Sequence, residues 1–325
     1  MASVAHVPTI ITIGKSTEDV FLKSSNAFTP YQHKGVKYEQ LPVGRKLDLD
    51  DVIISTGGNV TNAAVTFARQ GLHSKYAWCI GTDASSNAIL QSLDKEGVDT
   101  SHVYQGGRFR ASYSIIVMLT GGERTILNYH GTMPTSRDKE LDLSVIDDGD
   151  WIYISSLGDM ELLEKIISRA ADNGVRIMLN PAGVELQNTE KLKGLLEDVE
   201  VLIVNKEEAQ LIVNGETLEE LARHARHYCP VVIVSDGPNG ALATDGKTII
   251  MAGMYEDVPV VDRTGGGDAF GSGFLSYYAQ GKSLKESIIF ASANSTSVVQ
   301  QIGAKEGILK KGATLHDMPL DEKEY

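Results

Sequence analysis

Short apolar runs alternate with helix-periodic segments along most of the chain. Thr9–Ile13, Ser74–Ile80, Trp151–Ser155 and Arg176–Asn180 read as strands. Val201–Val204 and Val231–Ser235 are near-continuous apolar runs, of the kind a parallel sheet buries on both faces. Helical spacing marks Asn59–Gln70, with Ala63, Ala64, Phe67 and Ala68 on one face, and also Ser85–Glu96, Met160–Asp172, Gly267–Gln280 and Leu284–Gln301. This order predicts βαβ units and an α/β fold with a mostly parallel sheet. Two stretches break the rhythm. Phe21–Leu49 is polar and aromatic without a helical period, and Tyr113–Tyr129 alternates like strands around a Gly121-Gly122 turn. Both read either as a small antiparallel sheet flanking Gly57-Gly58 or as ordinary surface hairpins.

Length and composition narrow the picture. A chain of 325 residues suits one large α/β domain with a small accessory element. The net charge of -13 argues against a nucleic-acid partner, although a local glycine loop and a few basic residues still allow a phosphorylated ligand. No apolar run is long enough to span a membrane, and Met1–Pro8 lacks the charge and apolar block of a signal peptide. Cys79 and Cys229 lie in apolar surroundings and read as buried thiols, in keeping with a reducing cytoplasm. No Cys/His spacing resembles a zinc site.

Chemistry concentrates in five places. In Asp262-Arg263-Thr264-Gly265-Gly266-Gly267-Asp268 a strand-like run breaks at three glycines and resumes as a helix with a carboxylate in its first turn. Bare amides at a helix start attract anions, so Asp268 is either a carboxylate favoured by the helix dipole or a base beside a bound phosphate. Interior glycines Gly271 and Gly273 cost a helix about 1 kcal/mol each, which points to close packing or ligand approach. Gly57-Gly58 leads into a helix bearing Asn59 and Asn62, whose amides suit sugar hydroxyls or a helix cap. Asp19 follows the first strand through Gly14-Lys15-Ser16, at the strand end where ligand groups gather; it is a hydroxyl acceptor or a solvated turn residue. Asn205 and Glu208 have the spacing of a capping box, or hold water around Mg²⁺. Asp236, Gly237 and Gly240 form a turn that either joins two strands or lets backbone approach a nucleotide.

Taken together and in this order, Gly57-Gly58-x-x-x-Asn62, Asn205-x-x-Glu208 and Asp262-Arg263-Thr264-Gly265-Gly266-Gly267-Asp268 resemble the ribokinase-like (PfkB) carbohydrate kinases, from about Thr9 to about Gly303. The resemblance implies a single kinase domain over 1–325, with a three-layer α/β/α core. A β lid would form from about 20–50 and 108–130. It implies transfer of the γ-phosphoryl of ATP to a hydroxymethyl group of a small sugar, with ribose or fructose favoured over a nucleoside such as adenosine or 2-keto-3-deoxygluconate. By position, Asp268 matches the catalytic base and the amides of Gly265, Gly266 and Gly267 the anion hole. Asp19, Gly57, Gly58 and Asn62 match sugar-binding positions, and Asn205 and Glu208 the Mg²⁺ and phosphate motif, with Glu208 acting on Mg²⁺ through water. Asp236, Gly237, Gly240 and Asn294 fall at nucleotide positions. Asp262 and Thr264 match a monovalent-cation site of some members, potassium being the cation. Homodimerisation through lid strands is a further family trait.

The sequence departs from the family where Gly266 replaces a usual alanine and Arg263 a small or hydroxyl residue, and Ala304-Lys305-Glu306-Gly307 lacks a serine that some cation-binding members carry near its end. Arg124, with Arg110, Tyr113, Asn128, Tyr129, Tyr31 and His33, is a candidate for choosing the sugar, since arginine reads carboxylates and phosphates and aromatics stack on bases. Two rival readings are a sugar- or nucleotide-binding regulator without catalysis and a NAD-dependent dehydrogenase. The second is disfavoured by Gly14-Lys15-Ser16 standing where Gly-x-Gly-x-x-Gly would follow the first strand.

Overall fold

The computed structural model describes residues 6–119, 124–253 and 258–325; the Gly121-Gly122 turn and the first residues of the N-terminal tail lie outside them. Among the described residues, nine strands form one sheet in the spatial order Leu320–Glu324, Thr248–Ala252, Ala241–Thr244, Val231–Ser235, Val201–Asn205, Arg176–Asn180, Trp151–Ser155, Thr9–Gly14, His73–Ala77. The six strands from Val231–Ser235 to His73–Ala77 run parallel, and the first three are added antiparallel. The apolar runs of Trp151–Ser155, Val201–Asn205 and Val231–Ser235 are buried at nearly every position, because helices cover both faces. The helices Asn59–Arg69, Gly266–Tyr278 and Leu284–Val299 pack on one another, while Met160–Asp172, Thr189–Leu195, Lys206–Ile212 and Leu218–Ala225 form a second group against the central strands. This is an α/β fold with a mostly parallel sheet between two groups of helices.

Thr9–Gly14 sits between His73–Ala77, reached first by the chain, and Trp151–Ser155, reached later. The connections therefore leave it to opposite sides, and its carboxyl end opens into a crevice of the kind where α/β sheets bind ligands. From that end the chain peels away into a second sheet, ordered Arg124–Tyr129, Ser112–Met118, Thr17–Lys23, Asp51–Gly57. Thr17–Lys23 pairs parallel with Ser112–Met118 and antiparallel with Asp51–Gly57.

Several details differ from the sequence reading. Phe21–Leu49 is not one sheet: its start belongs to Thr17–Lys23, and Thr29–His33 pairs with Val36–Gln40 in a separate exposed hairpin. Lys34 and Gly35 close that hairpin at φ 49 and 81, the paired left-handed backbone that matches the strands' twist. The fourth strand of the small sheet, Asp51–Gly57, lacks a clean apolar alternation, which hid it. Ser74–Ile80 divides after Ala77, and Cys79–Ile80 pairs instead with Tyr104–Gln105. Cys79 and Cys229 are buried and unpaired.

Candidate active site

The crevice is built on close backbone approaches. Gly14 has φ 149, and a Cβ there would lie 2.1 Å from the carbonyl oxygen of Ser155 on the neighbouring strand. A Cβ on Gly57 would lie 2.1 Å from Asp19 Oδ2, so the diglycine exists to let its strand run against that carboxylate. Gly58, at φ 104, then starts the Asn59–Arg69 helix, whose Val60, Ala63, Ala64 and Phe67 are buried. One turn in, Asn62 Nδ2 donates to Asp268 Oδ2 at 2.8 Å. A carboxylate only accepts, so the amide carbonyl faces the other way. That oxygen, Asn62 Oδ1, is buried with no hydrogen-bond partner among the described residues.

Asp268 reaches this point from the first turn of the Gly266–Tyr278 helix. Gly265 precedes it in the left-handed region at φ 78, packed so closely on the Gly303–Lys305 segment that a Cβ would meet Ala304 Cβ at 2.3 Å. Gly271 and Gly273 are spaced for packing: a Cβ on either would stand 3.1 Å from Ile203 Cδ1 or Ala291 Cα. Burial pushes the Asp268 carboxyl up to about 6, against the pull of the Asn62 amide and the Lys305 charge. Asp19, 6% exposed, accepts from Thr17 Oγ1 at 3.2 Å, and burial raises its pKa too.

Sequence reasoning missed Lys305, quoting it only as part of a segment without a serine. It is 4% exposed, and its Nζ donates to Thr56 O at 2.7 Å, Thr56 Oγ1 at 3.0 Å and Thr61 Oγ1 at 3.4 Å. Burial lowers its pKa to about 7, while Asp19 and Asp268 draw it back up. The signal in the sequence was a lysine in a small-residue segment after the last long helix; only the fold shows that it enters the crevice. Lys15 is a smaller addition, partly buried, and burial lowers its pKa against the charges of Asp19 and Glu185.

On the other side of the glycine turn lies a cleft of about 260 Å³, lined by Gly237, Pro238, Gly240, Arg263, Gly266, Gly267, Phe270, Ser295 and Thr296. Gly240 needs its glycine: at φ 94 a Cβ would meet Ala252 O at 2.2 Å. Asp236 shapes this loop rather than lining the cleft, its N–H donating to Gly240 O at 2.8 Å and its Oδ2 accepting from Asn239 Nδ2 at 3.1 Å. Gly267 has open space where a Cβ would be, so its backbone is bare to the cleft. The 265–268 turn thus lines the cleft with the backbone of Gly266 and Gly267 and holds the Asp268 carboxylate against Asn62.

Asn294 is a correction. It is fully buried, with Nδ2 donating to Ala269 O at 2.8 Å and Oδ1 accepting from Leu309 N at 2.9 Å. Its helix turns Ser292, Ser295 and Thr296 to the cleft instead, and the helical period puts Asn294 on the inner face. Asn205 and Glu208 form the capping box, with Asn205 N donating to Glu208 Oε2 and Glu208 N to Asn205 Oδ1, both at 2.9 Å. Burial raises the Glu208 pKa, and burial pushes the Tyr153 hydroxyl up as well, with the Asp268 and Glu208 charges adding to it.

Arg124 is engaged elsewhere than at a sugar: its Nη1 pairs with Asp262 Oδ1 at 3.1 Å. That oxygen also accepts from Thr264 N at 3.0 Å and Thr264 Oγ1 at 2.7 Å, and Oδ2 accepts from Gly303 N at 3.2 Å. A carboxylate so filled, and already facing a guanidinium, does not fit a monovalent cation. Of the other substrate candidates, Tyr31 packs on Tyr38 in the exposed hairpin, and Arg110, Asn128 and Tyr129 are exposed. The polar group that the small sheet does bring to Asp19 is Ser114.

A model of the pfkB family of carbohydrate kinases matches residues 31–311. The chain belongs to that family. It is a phosphotransferase with an alcohol group as acceptor. This kinase is 26% identical to a ribokinase of Haemophilus influenzae over 284 residues, covering 84% of this chain and 90% of the relative. It is 27% identical to a cytidine kinase of Thermococcus kodakarensis over 278 residues, covering 81% and 92%. A 2-dehydro-3-deoxygluconokinase of Haemophilus influenzae is also 27% identical, over 288 residues, covering 81% and 90%. Among solved structures, Arabidopsis thaliana ribokinase complexed with ribose and ATP superposes with a TM-score of 0.77 at 20% identity, covering 94% of this chain and 96% of that one. Among the described residues no helix is long and apolar enough to cross a membrane.

Proposed function

We propose that this kinase transfers the γ-phosphoryl group of ATP to a hydroxymethyl group of a small sugar. The observation that carries the reading is the buried, partnerless Asn62 Oδ1, on a side chain that holds the part-buried Asp268 carboxylate, with the buried Asp19 carboxylate close enough to act on Asp268. A buried acceptor without a donor is costly, and a polyhydroxylated ligand supplies the missing O–H. Asp19 and Asn62 hold hydroxyls while Asp268 accepts the proton of the hydroxyl that attacks. The new bond joins that oxygen to the γ-phosphorus, the bond to the β-phosphate oxygen breaks, and ADP leaves. The first-turn amide of Gly267 meets the negative charge from the cleft side, where a triphosphate tail reaches the turn, while the Gly266 N–H donates to Arg263 O within the turn.

Among the described residues no group of three His, Cys, Asp or Glu side chains forms a metal cage. Mg²⁺ suits this setting, since it keeps most of its waters and is bound chiefly by substrate phosphates. Asn205 and Glu208 would hold it through water, and it would neutralise phosphate charge. The small sheet, which carries Asp19 and Ser114, acts as the lid over the sugar.

The test is ADP release from ATP and Mg²⁺ with ribose, fructose, adenosine, cytidine and 2-keto-3-deoxygluconate. Turnover with ribose or fructose is expected. A preference for the nucleosides or the sugar acid reassigns the acceptor. ATP binding without turnover on any acceptor overturns the reading in favour of a silent binding protein.

A further inference from the structure

Asp262 holds three parts of the site at once. Through Oδ1 it fixes Thr264, immediately before the glycine turn, by both backbone and hydroxyl. Through Oδ2 it fixes Gly303, and with it the segment that packs Ala304 on Gly265 and carries Lys305 into the crevice. Its side chain is only 1% exposed, so its charge needs a counter-ion within the protein. Arg124 supplies one from the edge strand of the small sheet, itself 24% exposed. A monovalent cation would have to share the Asp262 carboxylate with a guanidinium that never loses its charge and with the three Thr264 and Gly303 donors. The segment that follows agrees. A Cβ on Gly307 would lie 2.2 Å from Ser297 O, so a hydroxyl-bearing side chain has no room at that position.

We propose that Arg124 is a built-in counter-ion that takes the place of the monovalent cation, so that the phosphate-binding turn of this kinase assembles without potassium. The inference rests on the kinase reading only in calling that turn phosphate-binding. Arg124 is a positioning residue: it acts through Asp262 on the turn and touches no reacting atom.

The test compares melting temperatures in potassium chloride and tetramethylammonium chloride, each at about 0.1 M to equalise screening. A cation bound to the folded state raises the melting temperature, so wild-type protein is expected to melt within about 1 °C in the two salts. Arg124→Met, which empties the counter-ion position but keeps the side chain's reach, is expected to melt lower in tetramethylammonium and to recover in potassium. A potassium-specific rise in the wild type overturns the proposal, as does an Arg124→Met protein indistinguishable from wild type in both salts. If Arg124→Met does not fold in either salt, the wild-type comparison still decides. With an acceptor in hand, kcat of the wild type should be the same in both salts, and that of Arg124→Met at least about tenfold lower and restored by potassium. The melting arms need no turnover, so a protein without kinase activity refutes the proposed function and leaves the cation result standing.

Discussion

At the scale of single residues, the site is a small cluster of buried charges that set one another's proton affinity. Asp268 is the group whose loss should abolish chemistry alone. Asp268→Asn keeps the shape and a polar partner for Asn62 but removes the proton acceptor, so kcat should fall by about 10²–10⁴ with ATP and sugar affinity retained, read by ADP release and calorimetry. Because burial lifts its pKa to about 6, the base is protonated below that pH, and kcat should fall as pH drops through this value. Lys305 holds that value down by its charge. In Lys305→Met the acidic limb of the pH–rate profile should therefore move to higher pH; an unmoved limb would remove Lys305 from the electrostatics of the base.

At the scale of elements, the first two positions of the glycine turn behave differently, although both are glycine. Gly265 lies at φ 78 against Ala304, so Gly265→Ala meets both backbone strain and a clash and should destabilise the fold by about 1–3 kcal/mol in a denaturant titration. Gly266 is helical, and a Cβ there would stand 3.0 Å from Val299 Cγ1, a contact that a small shift of one methyl relieves. Gly266→Ala should fold with nearly wild-type stability. The capping box shows the same economy of use. Asn205→Ala removes a cap at a cost of about 1 kcal/mol, and Glu208→Gln keeps the cap but lowers the charge, so only the first should change stability while both raise the Mg²⁺ needed for turnover.

At the scale of the whole molecule, a rigid sheet buried on both faces carries a second, thinner sheet over its crevice. The strands Thr17–Lys23 and Asp51–Gly57 hold Asp19 and lead into Gly57, and they pack on the Ala84–Lys95 helix, where Ser85 donates to Glu18 and Thr56 to Ser92. Acceptor binding should slow hydrogen exchange in these two strands, while the exposed Thr29–Gln40 hairpin keeps its rate. Unchanged exchange in both would make the small sheet a static cover. Its edge strands expose Val52, Ile54, Ile126, Leu127 and Tyr129.

The sequence by itself determined the parallel sheet, since runs such as Val231–Ser235 have no polar face and only a doubly covered strand tolerates that. It also marked the glycine turn with Asp268, and Asn62 and Asp19, because their chemistry depends on local backbone and on order along the chain. The tertiary structure alone decided what depends on distant partners. Asn294 looked available for a nucleotide, but the helical period and two backbone groups claimed it. Arg124 looked like a sugar ligand, but a buried carboxylate far along the chain drew it. Lys305 carried no local mark, and its role arises from folding back between Thr56 and Thr61 beside two carboxylates. Propensity and periodicity act within a few residues of the chain; electrostatic pairing and burial act across it, and only the folded contacts reveal them.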